Sequence, residues 1–167
     1  MSQPGKNGLL GEVRVVQGVS VVHVEDVYDT DIDDLWAALT EPPRLRRWIA
    51  KVDGDLRLGG LFTASFTSGW EGPGRVEVCD APHRLLLTME PGTPDETHIE
   101  AALTVEAAGT RLVIEERGLP VDEAPDHGAG WQAHLEDLRA VLEDREPAPW
   151  HDRWTALKPA YRQPRPL

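Results

Sequence analysis

The chain has 167 residues, 40% apolar and 28% charged, which fits one globular domain with its own core and argues against disorder of the whole. Its formal charge of −12 repels phosphate backbones and anionic lipid headgroups, so nucleic acid is an unfavoured partner and membrane insertion is not expected. A single cysteine, Cys79, excludes an intramolecular disulfide and a Cys-based zinc site, no run approaches the roughly 20 apolar residues of a membrane span, and no apolar signal segment precedes residue 19; the expected address is cytoplasmic.

Residues 1–18 read as a loose lead-in that gains structure near Val13 to Val16. Residues 19–28 are β-branched and aromatic, a strand whose inward face is blurred by the adjacent Val21 and Val22. Thr30 or Asp31 can cap a helix in which Ile32, Leu35, Trp36 and Leu39 recur at helical spacing. Pro42 and Pro43 end it, and a second short helix over 43–49 follows. Strands are then expected at 55–58 and 61–66 around a Gly59-Gly60 hairpin turn, with another turn at 71–74 leading into 75–79. Further strands at 84–89, 98–106 and 111–117, joined by short turns, complete an antiparallel meander.

From about Asp122 to Glu143 the period becomes helical. His127, Trp131, His134, Leu135, Leu138 and Leu142 form one stripe, with Glu136, Asp137, Arg139 and Glu143 expected on the opposite, solvent side. A sheet with one apolar face must be covered, and this helix is the available cover. In the tail, 146–167, Trp150, Trp154, Leu157 and Tyr161 lie at i, i+4, i+7 and i+11, but Pro159 is expected to end any helix before Tyr161. A helix that short must dock on its own domain or on a second copy, since alone it is unstable in water.

The order strand, two helices, several strands, long helix resembles the START-related, birch-pollen-allergen-like superfamily. Within it, LWAALTEP at 35–42 and LRRW at 45–48 look like the first-helix signature of the activator-of-heat-shock-protein-90-ATPase-homologue family. DLRLGGLF at 55–62, GRVEV at 74–78, DAPHRL at 80–85, GTRL at 109–112, GLP at 118–120 and the pair Gly130-Trp131 extend the ordered series over residues 19–143. The resemblance implies an α+β helix-grip fold over 19–145, a curved antiparallel sheet around a long C-terminal helix. It also implies a cavity between the two, since superfamily members bind lipids, sterols, hormones or polyketides and some are cyclases or aromatases. A shared fold does not fix which of these applies.

Eight residues are the candidates for the pocket: Trp48, Phe62, Phe66, Met89, Glu116, His127, Trp131 and His134. The indoles offer a large apolar face and one N–H donor, and Phe62 and Phe66 share a strand face. Of Glu115 and Glu116, adjacent on a strand, one must point inward. His127 and His134 suit a polar anchor or an acid/base role, although the sequence fixes no carboxylate partner, and their i, i+7 spacing puts them about 10 Å apart, too far to share a metal. No catalytic residue, cofactor or metal is assigned. The expected function is binding of a small apolar or amphipathic molecule. A cyclase or dehydratase using a pocket His or Glu is one alternative, and a co-chaperone-like or regulatory interaction domain is another; a homodimer formed through the tail is left open as a partner.

Overall fold

In the computed structural model, which describes residues 8–162, the chain runs β1 (Gly11–Val16), β2 (Val19–Tyr28), α1 (Ile32–Thr40), α2 (Pro42–Trp48), β3 (Ala50–Gly54), β4 (Leu61–Phe66), β5 (Glu71–Asp80), β6 (Arg84–Met89), β7 (Thr97–Glu106), β8 (Gly109–Leu119), α3 (Ala124–Leu142) and α4 (Trp150–Arg162). The ends of the lead-in and of the tail, residues 1–7 and 163–167, lie outside the described residues. All strand pairs are antiparallel, in the order β1-β2-β8-β7-β6-β5-β4-β3, so the fold is the expected helix-grip sheet with α3 laid across it.

Part of the lead-in is a strand. β1 pairs with β2 through a two-residue turn at Gln17 and Gly18, both at positive φ (52° and 78°), the backbone a tight hairpin demands. The Val21/Val22 ambiguity resolves with Ser20, Val22, Val24 and Tyr28 facing inward. Asp31 is the cap of α1: its side chain accepts the Asp34 N–H at 2.8 Å.

Three local expectations are corrected. Residues 55–58 are not a strand. β4 pairs with β3 and β5, and the Gly59-Gly60 pair runs beside β5, exchanging backbone bonds with Val76 (2.8 and 3.0 Å). A Cβ on Gly60 would stand 2.3 Å from the Asp55 carbonyl oxygen, so close approach, not hairpin turning, explains that glycine. Residues 71–74 belong to β5, and the turn is at 67–70, with Gly69 at φ 98°. Gly74 lies under the Phe62 ring, where a Cβ would be 2.4 Å from Cζ; packing selects this glycine.

The third correction concerns the last two helices. Pro159 does not end α4, which runs on to Arg162. An interior proline costs about 3 kcal/mol, and Tyr161 supplies the offset: it is buried against α3, with its hydroxyl donating to Gln132 Oε1 at 2.7 Å. Its ring fits because α3 has glycine at 128, where a Cβ would come within 2.6 Å of Tyr161 Cδ1. With α4 on one side and the sheet on the other, α3 is covered nearly all round from Gly128 to Leu135. Asp137, expected in solvent, is instead buried and paired with Arg153 of α4. Gly128→Ala is therefore expected to destabilise by about 1–3 kcal/mol through overpacking, despite its better helix propensity. A thermal melt at or above the wild-type midpoint would contradict that fit.

The other face of α3 is clamped to β2. The Tyr28 hydroxyl donates to the Leu135 carbonyl oxygen at 3.2 Å. The Arg139 guanidinium lies 4.9 Å from the Tyr28 ring centre, donates to the Val27 carbonyl at 2.7 Å and pairs with Asp26 at 2.8 Å. This clamp fixes the rotation of α3 and hence which of its side chains overlook the sheet.

Candidate functional site: two adjoining cavities beneath the last helices

Alternation along β8 turns Thr110, Leu112, Ile114 and Glu116 inward, and along β7 Thr97, Ile99, Ala101 and Leu103. Glu116 is the charged member of these two rows. Its side chain is 7% exposed, and burying a carboxylate without partners is prohibitive. Three donors meet it. Trp131 Nε1–H and His127 Nδ1–H donate to Oε1 at 2.9 and 3.2 Å, and the Thr97 hydroxyl donates to Oε2 at 2.9 Å. His127 and Trp131 are one helical turn apart on α3, so both reach the same strand residue.

The electrostatics follow from these contacts. Burial opposes the charge on Glu116 more than any single neighbour favours it. Together, however, the bonds from His127, Trp131 and Thr97 and the charge of His127 hold its carboxyl below the usual range. Burial likewise opposes a charge on His127, but Glu116, with Glu123 and Asp126, holds the imidazole above its ordinary value. Each partner thus favours the charged form of the other, carboxylate beside imidazolium.

His134 behaves oppositely. Burial, with a smaller contribution from the Arg153 charge, pushes it down to about 3, so it is neutral. It is packed among Trp131, Trp150 and Phe66, at ring separations of 5.8, 5.1 and 5.9 Å. Its Nδ1 and the Trp150 Nε1 are buried with no hydrogen-bond partner. Each orphaned group costs about 1–3 kcal/mol, and a buried polar atom without a partner calls for an explanation.

Two cavities adjoin here. The outer one, about 490 Å³, holds Glu116, His127 and His134 in its wall and is bounded by α4 through Trp150 and Trp154. The inner one, about 130 Å³, is apolar and lies between α2 and the sheet, with Trp48, Phe62, Ala64, Leu87, Ala101 and Ile114 around it. Phe66, Met89, Ile99 and Trp131 border both. The eight residues expected in one pocket are therefore distributed over two: Trp48 and Phe62 inside, Glu116, His127 and His134 outside, and Phe66, Met89 and Trp131 between. Trp48 also has a structural duty, its Nε1–H donating to the Ala38 carbonyl at 2.9 Å.

Sequence reasoning missed Thr97 and Ile99, which the start of β7 carries without a distinguishing signal. It also missed the cavity role of Trp150 and Trp154, whose spacing was visible but whose direction after Pro147 was not. Among the described residues no group of three or more His, Cys, Asp or Glu is placed to hold a metal, and no helix is long and apolar enough to cross a membrane.

An antiparallel sheet gripping a long C-terminal helix, with cavities between them, defines the START-related helix-grip class. The sequence model of the Activator of Hsp90 ATPase homolog 1-like protein family matches residues 29–143, and the chain belongs to that family. Among solved structures, CalU16 from Micromonospora echinospora is similar in its crystal form (24% identity, TM-score 0.75, covering 90% of this chain and 92% of that one) and in solution (26%, 0.67, 90% of each). DynU16, a protein of the dynemicin biosynthetic locus, is 25% identical with a TM-score of 0.70 over 76% of this chain, which spans about half the length of DynU16 (48%). Among curated proteins, none matches the sequence. The family match stops before α4, so the wall formed by Trp150 and Trp154 lies beyond the part of the chain it covers.

Proposed function

We propose that the protein binds a small amphipathic molecule, with the apolar part in the inner chamber and the polar end beside Glu116 and His127. The observation that carries this reading is the junction of an apolar chamber with a larger cavity whose wall holds a buried, ionised carboxylate. Unfilled volume costs stability, and an apolar lining with a few convergent polar groups is the usual composition of a ligand site. The likeness to a protein of a biosynthetic locus accords with handling of a small molecule. Trp150 and Tyr161 are buried within the chain, so the reading requires no second copy.

Native mass spectrometry of the purified protein, with titration of an apolar fluorescent probe, tests it. Ala101→Phe fills the inner chamber and is expected to weaken probe binding at least ten-fold at an unchanged fold by circular dichroism. Trp131→Ala, which removes the shared wall and one donor to Glu116, is expected to weaken it as well. Wild-type affinity in both variants would refute the placement.

A second reading has its own observation. Glu116 favours the protonated form of His127 at the cavity wall, where the imidazolium could give a proton to an oxygen of a bound molecule in a cyclase- or dehydratase-type step. A bound molecule that loses water or changes its chromatographic retention on the wild type but not on His127→Gln would favour catalysis over simple binding.

A further inference from the structure

Resting on the binding reading above, we infer that the polar end of the ligand is a protonated amine, received in an aromatic and acidic outer cavity that α4 completes. The wall of that cavity holds five carboxylates, Glu90, Asp95, Glu116, Glu123 and Asp126, and, among the described residues, no lysine or arginine. Glu116 is neutralised by His127 and Asp126 by Arg162 at 3.0 Å, which leaves Glu90, Asp95 and Glu123 as the uncompensated charges. Of the nearby cations of α4, Arg153 pairs with Glu136 and Asp137, although its charge is felt at His134, and Lys158 lies 4.2 Å over one face of the Trp154 ring. An anionic headgroup would meet repulsion here and a cation would meet attraction, stronger than at an open surface because the cavity walls have low dielectric.

The aromatic composition points the same way independently. Trp70, Trp131, Trp150 and Trp154 all line this cavity, and indole is the best face for a cation. Trp150 and Trp154 are stacked at 5.7 Å, and Phe66 meets Trp70 edge-on at 5.3 Å. His134 supplies a further observation. It is 4% exposed, lines the cavity, remains neutral, and has an imidazole nitrogen without a partner. A neutral imidazole adds no positive charge to this wall, whereas an imidazolium would repel a cation.

Three probes with the same apolar tail separate the possibilities: decylammonium, decanol and decanoate, titrated below their aggregation limits against the intrinsic tryptophan fluorescence of the full chain at about 50 mM salt. Decylammonium is expected to bind at least ten-fold more tightly than decanol, and decanoate more weakly than either. In the Glu90→Gln/Asp95→Asn/Glu123→Gln variant, whose changes lie at the cavity rim where folding is little affected, the ammonium-to-alcohol ratio is expected to fall below three-fold. Equal affinities for the three probes, or a preference for decanoate, would overturn the amine inference and leave the amphipath-binding reading standing. Failure of all three to bind would overturn both. A ten-fold preference that persists in the triple variant would remove the assignment to these carboxylates.

Discussion

Truncation after Glu146 is expected to lower the melting temperature by about 10–20 °C. The segment removed carries Trp150 and Tyr161, which are 8% and 5% exposed, and the half-buried Trp154. Full burial of a large apolar side chain is worth about 1.5–3 kcal/mol. The loss does not end there, because α4 also satisfies polar groups of α3. Asp137 would keep its place on α3 without Arg153, Gln132 would lose the Tyr161 hydroxyl, and the Asp126 carbonyl would lose the Trp154 Nε1–H at 2.9 Å. Removing one partner of a buried polar contact costs about 1–3 kcal/mol each, reduced here because water gains access. A total near 5 kcal/mol is comparable to the whole stability of many domains, and about 2–4 °C per kcal/mol converts it to the shift stated. Paired thermal melts of the full and truncated chains, followed by circular dichroism, measure it. A truncated protein melting within about 3 °C of the full one would mean that α4 rests on the domain without supporting it.

That helix shows where sequence patterns reach and where they stop. The spacing of Trp150, Trp154, Leu157 and Tyr161 announces an amphipathic helix, and it is there. Pro159 argued for an end that did not come, because a local backbone penalty was outweighed by a tertiary contact, Tyr161 over Gly128, that no local pattern encodes. Asp137 fails for the same reason: judged on α3 alone it belongs to the solvent face, and the second helix that buries it is invisible until the chain direction after Pro147 is known. The hairpins between β3 and β5 were displaced for a different reason. Glycine marks both turns and close backbone approaches, and at Gly60 and Gly74 the approach, not the turn, is what excludes a side chain.

Within the site, alternation placed Phe62, Phe66 and Met89 inward and narrowed the acid to Glu115 or Glu116, but it could not name the partners of Glu116. The His127 contact depends on the rotation of α3, which is set by the Tyr28–Arg139 clamp between residues more than 100 apart in sequence (Tyr28 to Leu135 spans 107). The separation into two cavities depends on how far Phe66 and Trp131 reach across the grip, a matter of packing distances that residue identities alone do not fix.

Acidification from pH 7 to pH 5 is expected to cost about 2 kcal/mol through His134 alone. In the folded chain this imidazole takes its proton only near pH 3, whereas in the unfolded chain it does so near 6.5. A folded-state value that is depressed means that, below 6.5, the unfolded state binds a proton the fold refuses, so stability falls as pH falls, by about 1.4 kcal/mol per unit, until the folded value is reached. The accumulated loss is about 2 kcal/mol at pH 5 and about 4 kcal/mol at pH 3. His127 acts with the opposite sign. Its folded value is raised, so the stability it contributes is present in acid and lost as pH rises through that value; with 40% of its side chain exposed, solvent screening keeps the effect small. Glu116, held below the usual carboxyl range, keeps its contribution above the unfolded value and loses it only as pH falls through the folded one, outside the pH 5–7 window. His134→Leu isolates the main effect, because Leu suits the neighbouring Phe66, Trp131 and Trp150 rings and carries no proton. The wild type is expected to lose about 4–8 °C of melting temperature more than the variant between pH 7 and pH 5, at the usual conversion for this size. Parallel losses in the two proteins would show that His134 accepts its proton without penalty, and the dry, neutral environment assigned to it would be wrong.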